Sequence, residues 1–268
     1  MMRNRTSIGH IAIDRLSRED AIWRVDALIA VRRGGFVVTP NIDHIVLAAR
    51  DSRMRAAYQQ ASLSLADGQP VVWMARALGA PLPERASGSD LIDPLMAYAA
   101  SHNRKVFFFG ATPEVSAEAA RRLVQRYPQL NIVGRDSSYW SIDDASAPGE
   151  SRVVRAIRES GADLVVVALG CPKQEVWMAR HAAAIAPAVA LGLGASLDFV
   201  AGAVSRAPAW VSNAGCEWLY RLAQEPRRLA YRYLVRDLQI LSIFAGELVR
   251  RMTGRRTAIL MPGAGTRP

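Results

Sequence analysis

Short, continuously apolar runs alternate along the chain with longer stretches in which apolar residues return every three to four positions. The runs fall at about residues 7–13, 36–39, 62–66, 105–110, 131–135, 163–169 and 187–193. VFFFG at 106–110 and LVVVALG at 164–170 show no polar alternation, as expected of strands covered on both faces. The stretches between them predict helices over 17–32, 42–60, 69–79, 89–102, 113–127, 149–160 and 172–184. Boundary signals support several of these. Ser17 followed by Asp20 makes a near capping box, Ser89 caps the fourth helix, and Pro113 sits in the first turn of the fifth. Strands that alternate with helices predict an α/β fold: a Rossmann-like, mainly parallel sheet flanked by helices.

After about Ala207 the alternation stops. Two further helices are expected, divided near Glu225-Pro226, with no strand after them. The second places Leu234, Leu238, Leu241 and Leu248 on one stripe, widened by Ile240, Ile243 and Phe244, with Arg232, Arg236, Arg250 and Arg251 elsewhere. A basic amphipathic helix of this kind either packs on the domain or lies on an anionic bilayer. The expected organisation is an α/β domain over 1–206, a basic helical appendage over 207–252, and a flexible tail over 253–268.

Composition narrows the class. With 50% hydrophobic and 22% charged residues, 268 residues make a globular chain and exclude collagenous, low-complexity or wholly disordered character. Two cysteines and four histidines give neither a disulfide framework nor a Cys/His metal spacing, so a reducing cytoplasm is expected. The N-terminus lacks a signal peptide's apolar core, and the apolar tract at 182–204 is broken by Pro187, Asp198 and glycines. No membrane-spanning segment is predicted. Net charge is +10, with arginine far outnumbering the two lysines, Lys105 and Lys173. Between Arg221 and Arg256 there are nine arginines against three acids, a local +6.

Ligands of open α/β sheets bind beyond the carboxyl ends of the strands, so polar residues just after strand runs are the candidates for chemistry. In FVVTPNIDH these are Thr39, Asn41 and Asp43, which an ordinary turn and helix cap would also explain. In LSLADGQPVVW, Asp67 precedes Gly68: either a common Asp-Gly turn or a general base able to take a proton from a hydroxyl nucleophile. Arg85, in PERASGSDL, is a candidate anion binder. FFFGATPE runs from a strand through one Gly into a helix N-terminus, a weak phosphate signal without the dinucleotide or P-loop fingerprint. VVVALGCPKQEVWMARH ends a buried strand in Lys173, Gln174 and Glu175, which packing alone explains poorly. Cys171 reads as an inert core thiol rather than a nucleophile paired with His181. There is no DxD, HExxH or GxSxG, so no metal is expected, and arginine must carry any leaving phosphate's charge.

In order, TPNIDH, LADGQPVVW, PERASGSDL, FFFGATPE, ALGCPKQEVWMARH, GLGASLDFVAG, SRAPAW and EWLYRLAQEPRRLAYRYL resemble the bacterial WecG/TagA/CpsF glycosyltransferase family over about residues 8–250. The resemblance implies an inverting, metal-independent transferase without a cofactor. Its donor would be a UDP-sugar, typically of N-acetylmannosamine, N-acetylmannosaminuronic acid or glucose. The acceptor would be a polyprenyl-diphosphate-linked saccharide, in the synthesis of exopolysaccharide, common antigen or teichoic acid. Carried over by position, Asp67 resembles the catalytic base. Thr39 and Asn41 would line the pocket, Arg85 would contact the acceptor or its diphosphate, and Gln174 the sugar nucleotide. Arg221 and Arg228 would close over the site from an appendage docked on the inner face of the cytoplasmic membrane. Tyr231 followed by Arg232 leaves the register of a third arginine open. The donor is not specified, and a homo-oligomer stays open.

The competing expectation is a nucleic-acid-binding protein using the arginine-rich C-terminus. The lack of an RNP-like aromatic strand or a clear helix-turn-helix argues against it, so no nucleic-acid partner is expected. A nicotinamide-dependent oxidoreductase rests on fold analogy alone.

Overall fold

The computed structural model describes residues 4–143, 148–213 and 215–253, apart from the side chains of residues 148–151, Ala209, Asn213 and Arg228. The expected tail over 253–268 lies outside this range from residue 254 onward.

The first apolar run is not a sheet strand. Residues Arg5–Ile8 (β1) and Ile11–Asp14 (β2) pair antiparallel in a separate hairpin. Gly9 sits at the turn with a φ of +58°, a left-handed value that glycine adopts without strain. Ile8, Ile11 and Ile13 are fully buried, which is why the run reads as one apolar strand although a two-residue turn interrupts it. The buried Asp14 ties the hairpin down: Arg5 donates twice to its carboxylate, at 2.7 and 2.8 Å, and Ser64 N donates to Oδ2 at 2.8 Å.

The other six runs form one parallel sheet. Helix α1 (Arg18–Ala30) precedes β3 (Gly35–Val38); β4 (Leu63–Ser64), β5 (Lys105–Gly110), β6 (Asn131–Asp136), β7 (Leu164–Ala168) and β8 (Val189–Gly192) follow, in the order β4-β3-β8-β7-β5-β6. Side chains alternate between the faces. Phe36, Val38, Phe107, Phe109, Val165 and Val167 join one apolar cluster, whereas Val37, Val106, Phe108, Leu164, Val166 and Leu191 join the other. Covered on both sides, the inner strands β3, β5, β7 and β8 have no polar face to show, which explains their apolar sequences, whereas the edge strand β6 is only partly buried and carries Asn131, Arg135 and Asp136.

The helices largely follow the periodic stretches. The capping box at α1 is complete, with Ser17 accepting from Asp20 N and the Asp20 side chain accepting from Ser17 N. The stretch at 42–60 divides into α2 (Ile42–Arg50) and α3 (Ser52–Gln60). Asp51 is extended there, and its side chain accepts from Arg53 N at 2.8 Å, so it ends one helix and caps the next. Helices α4 (Gln69–Ala77) and α5 (Gly88–Ser101) follow; the cap of α5 is Ser87, not Ser89. Then come α6 (Pro113–Arg126), α7 (Pro148–Ser160), α8 (Lys173–His181) and the short α9 (Ser196–Ala201).

Beyond Ala207 the chain is helical, but in more pieces than the expected two. It runs through α10 (Ala209–Asn213), α11 (Glu217–Gln224), α12 (Pro226–Tyr231), a π turn over Arg232–Arg236, a 3₁₀ turn over Asp237–Gln239 and α13 (Ile240–Met252). The leucine stripe is also divided. Ile240, Ile243, Phe244 and Leu248 pack on the core, while Leu234, Leu238 and Leu241 are 55–65% exposed. The inward positions before Ile240 are taken by Arg232, Arg236 and Asp237, which turns the preceding leucines outward. Among the described residues no helix is long and apolar enough to cross a membrane.

Because Asp14 joins the hairpin to the start of the sheet, Asp14→Asn should strand the Arg5 guanidinium and lower unfolding free energy by about 3 kcal/mol. Urea titration at neutral pH measures this loss; a change below about 0.5 kcal/mol would show that the pair is replaceable by solvent.

Candidate active site

The strand order places β3 and β8 side by side, with the chain leaving β3 for β4 on one flank while β7, β5 and β6 lie on the other. A crevice beyond the carboxyl ends of such strands is where an α/β sheet binds ligands. Thr39, one residue past β3, is buried, and its Oγ1 donates to Gly192 O at 3.1 Å, bridging the two strand ends. Asn41 caps α2: its Oδ1 accepts from His44 N at 3.3 Å. The same side chain reaches the next strand, where Nδ2 donates to Asp67 Oδ2 at 3.4 Å. The expected cap is present, and the two ends of one amide do different things, since the other reaches Asp67.

Asp67 follows β4 at the mouth of this crevice, and Gly68 next to it has a φ of +95°, a turn that favours glycine. Burial pushes the Asp67 carboxyl up. The His44 and Arg221 charges and the Asn41 hydrogen bond act downward, and Glu217 acts upward. The net result is a carboxylate more basic than a free aspartate, as a general base requires.

Gln174 opens α8 and is 2% exposed. Its Nε2 donates to Glu175 Oε1 at 2.8 Å, and its Oε1 accepts from Gly194 N at 3.1 Å. A side chain at Gly192 would meet Gln174 Nε2 at 3.1 Å, so the Gly192-Leu193-Gly194 segment makes room for this amide rather than for a dinucleotide. Glu175 is fully buried and stands 4.0 Å from His44 Nδ1, which in turn is 2.7 Å from the Tyr58 hydroxyl. Among the described residues, His44, Cys171 and Glu175 are the trio whose potential ligand atoms lie within 4.8 Å of one another. His44 Nδ1 is engaged by Tyr58 and Glu175 Oε1 by Gln174, whereas Glu175 Oε2 is buried without a hydrogen-bond partner. Burial and the Glu175 charge push the Cys171 thiol well above its usual value, which leaves no thiolate there.

The arginines are placed unequally. Arg85 donates to both oxygens of Asp90, at 2.8 and 3.2 Å, and reaches Ser212 O and Glu217 in the appendage at 3.3 and 3.5 Å. It thus braces α5 against α11, with much of its fork occupied by Asp90. Arg221, on α11, lies over the Phe199 ring at 5.7 Å, close enough to Asp67 for its charge to be felt there. Arg228 lies on α12 and its side chain falls outside the described residues. Tyr231 is 68% exposed while Arg232 turns inward, so Arg232, not position 231, faces the domain. The FFFGATPE segment lies elsewhere: Thr112 caps α6, beside a cavity of about 670 Å³ lined by Pro113, Arg135, Asp136, Ser138 and Arg152. That cavity borders β6, at the opposite edge of the sheet from β4, and contains none of the candidate residues.

Four of the candidates, Thr39, Asn41, Asp67 and Gln174, therefore converge on neighbouring strand ends, with Arg221 brought in by the appendage. Sequence reasoning passed over His44 and did not separate Glu175 from its neighbours. A histidine three residues after a cap asparagine carries no signal of its own, and only the burial of Glu175 distinguishes it.

A basic carboxylate at a sheet edge, under cationic cover and beside fixed amides, suits an enzyme that activates a hydroxyl while an anionic group departs. The chain belongs to the WecG/TagA/CpsF family of glycosyl transferases, whose sequence pattern it matches over residues 6–254. It is also 35% identical over 196 residues, 73% of this chain and 74% of the relative, to an N-acetylglucosaminyldiphosphoundecaprenol N-acetyl-β-D-mannosaminyltransferase of Bacillus spizizenii. The protein is a glycosyltransferase.

The two ends of Asn41 can be separated by substitution. Asn41→Asp retains the cap, so any stability lost at neutral pH should match the rise in the Asp67 pKa, about 1.4 kcal/mol per unit, and vanish at a pH where Asp67 is protonated. It also replaces a donor to Asp67 by a second carboxylate, so the acid limb of the transfer rate should move to higher pH. An unmoved limb in a rate–pH profile would separate Asp67 from the titrating group.

Proposed function

We propose that this enzyme moves a hexosyl group from a UDP-sugar to a hydroxyl of a polyprenyl-diphosphate-linked saccharide in cell-envelope polysaccharide synthesis, inverting the anomeric centre without a metal. The observation that carries the reading is Asp67: a carboxylate made more basic by burial, held by Asn41 and exposed to the Arg221 charge. In the proposed step the acceptor oxygen bonds to the anomeric carbon as the bond to the diphosphate oxygen breaks. The acceptor proton passes to Asp67, and UDP leaves with the bonding electrons. Arg221 offsets the charge that develops on the diphosphate, with Arg228 in the same role. Gln174, fixed at both ends of its amide, offers its remaining hydrogen and lone pair to the sugar. Arg85 sets the appendage and, through it, the acceptor side of the pocket. The name of the Bacillus relative makes N-acetylmannosamine the first donor to try, on an N-acetylglucosamine-bearing lipid acceptor.

The lipid acceptor requires the enzyme to work at a membrane, and the appendage has a surface for it. Tyr231, Leu234, Val235, Leu238 and Leu241 recur at helical spacing and are all more than half exposed. Arginines of the same segment would meet anionic headgroups. We place the protein on the cytoplasmic face of the membrane, peripherally bound.

Asp67→Asn should reduce transfer by at least 10²-fold while UDP affinity, followed by calorimetry, changes little. In the parent the rate should fall as pH drops through the raised Asp67 pKa, since only the ionised carboxylate accepts the proton. Full activity in the variant, with EDTA present and a UDP-sugar panel supplied, would remove Asp67 from the mechanism. Independently, Leu234→Asp with Leu238→Asp should abolish co-sedimentation with vesicles containing phosphatidylglycerol and leave the thermal midpoint unchanged. Sedimentation equal to the parent's would locate membrane contact elsewhere.

A further inference from the structure

Helix α2 begins at the site, and its first turn also receives the appendage. Asn41 caps the helix and reaches Asp67; two residues on, Asp43 is 3% exposed. A carboxylate this deep needs charged or hydrogen-bonding partners, and the positive end of a helix supplies only part of what is needed. The partners come from the appendage. Arg232 Nε stands 3.2 Å from Asp43 Oδ2, and the Arg236 guanidinium makes a closer pair with Oδ1. Asp237 also faces these arginines, but at 3.8 and 3.9 Å. Burial and the charge of Asp43 push the Asp237 carboxyl up to about 6. Asp43 is therefore the better-paired of the two acids.

The consequence reaches the pocket through the chain itself. The helix breaks at Glu225, with a φ of −131°, but the Trp218 ring of α11 meets the Tyr233 ring of the π turn edge-on with centroids 6.0 Å apart, so the seat of residues 232–236 constrains the position of Arg221 across the break. Leu229 is 1% exposed and leaves little freedom to tilt that stretch independently. We propose that Asp43 is a positioning residue, whose buried ion pairs with Arg232 and Arg236 seat the appendage on α2 so that Arg221 stands over Asp67. Asp43 itself touches neither substrate. The proposal rests on the reading of Asp67 and Arg221 given above, while the seating it describes can be read without any activity.

The test uses the full chain. Hydrogen exchange of residues 217–252 is compared in the parent, Asp43→Asn and Asp43→Glu, with the sheet as internal control, and UDP affinity is measured on the same samples. Asp43→Asn should speed exchange in the appendage at least tenfold, leave β5 and β7 unchanged, and weaken UDP binding at least fivefold; Asp43→Glu should restore most of both. The double variant Asp43→Asn/Arg221→Ala should lose less UDP affinity than the two single losses combined, because an arginine already displaced has nothing further to lose while Arg228 on the same appendage is displaced by Asp43→Asn alone. Additive losses would overturn the proposal, as would unchanged exchange in the appendage. Acceleration spread evenly over the sheet would also overturn it, by showing that Asp43 merely holds the fold. Should Asp43→Asn fail to fold, Arg232→Gln/Arg236→Gln cuts the same pairs from the more exposed side, with the same expected pattern. If the parent binds no UDP, the reading of the site fails, and the exchange comparison still decides whether Asp43 seats the appendage.

Discussion

The parallel sheet is buried on both faces, and that constraint governs where chemistry can occur. Two apolar clusters take alternate residues of the same strands, so a polar group within a strand would lose water without a partner. In the inner strands β3, β5, β7 and β8 polar side chains lie at or beyond the strand ends, and several of those at the site are hydrogen-bonded. Thr39 closes β3 against β8, Gln174 is held at both ends of its amide, and Asn41 is shared between a helix cap and Asp67. These side chains are thus held in place by the protein itself, so if they bind ligand, as proposed, they would avoid an ordering cost at the moment of use.

The appendage inverts the usual amphipathic rule. Along residues 231–241 its arginines and Asp237 face the domain and its leucines face outward. An inward charge is stable only against a buried counter-charge, which Asp43 provides. The outward leucines form an apolar face, which on the proposed reading a bilayer would cover. Both features follow from a single rotation of the helix, so the ion pairs that join the appendage to α2 also aim its apolar face away from the domain.

Much of this was legible in the sequence, and the exceptions have physical causes. The inner strands β3, β5, β7 and β8 were visible as apolar runs because both their faces are covered, whereas the edge strand β6, NIVGRD, keeps polar residues on its more open side. The hairpin was mistaken for one strand because Gly9 and His10 form so short a break between three buried isoleucines. The stretch at 42–60 was read as a single helix because Asp51 serves both sides of the break, and a cap inside a periodic pattern looks like a surface residue. Asp67, Thr39, Asn41 and Gln174 could be named because each follows a strand. The inward arginines could not, since periodicity reports which residues share a face and not which way that face points.

The electrostatics of the pocket carry an internal conflict. A cation beside the diphosphate stabilises its departure, yet the same cation lowers the pKa of a neighbouring carboxylate and so weakens the base. Arg221 acts on Asp67 in this direction, as does His44. Burial acts the other way and is the larger effect, so the carboxyl ends above its ordinary value. A solvated site with the same arginine would keep the weakened base and screen the leaving-group charge as well. On the proposed reading, excluding water strengthens both effects together, so an appendage that brings its own arginine to a buried carboxylate would serve base and leaving group better than either residue alone.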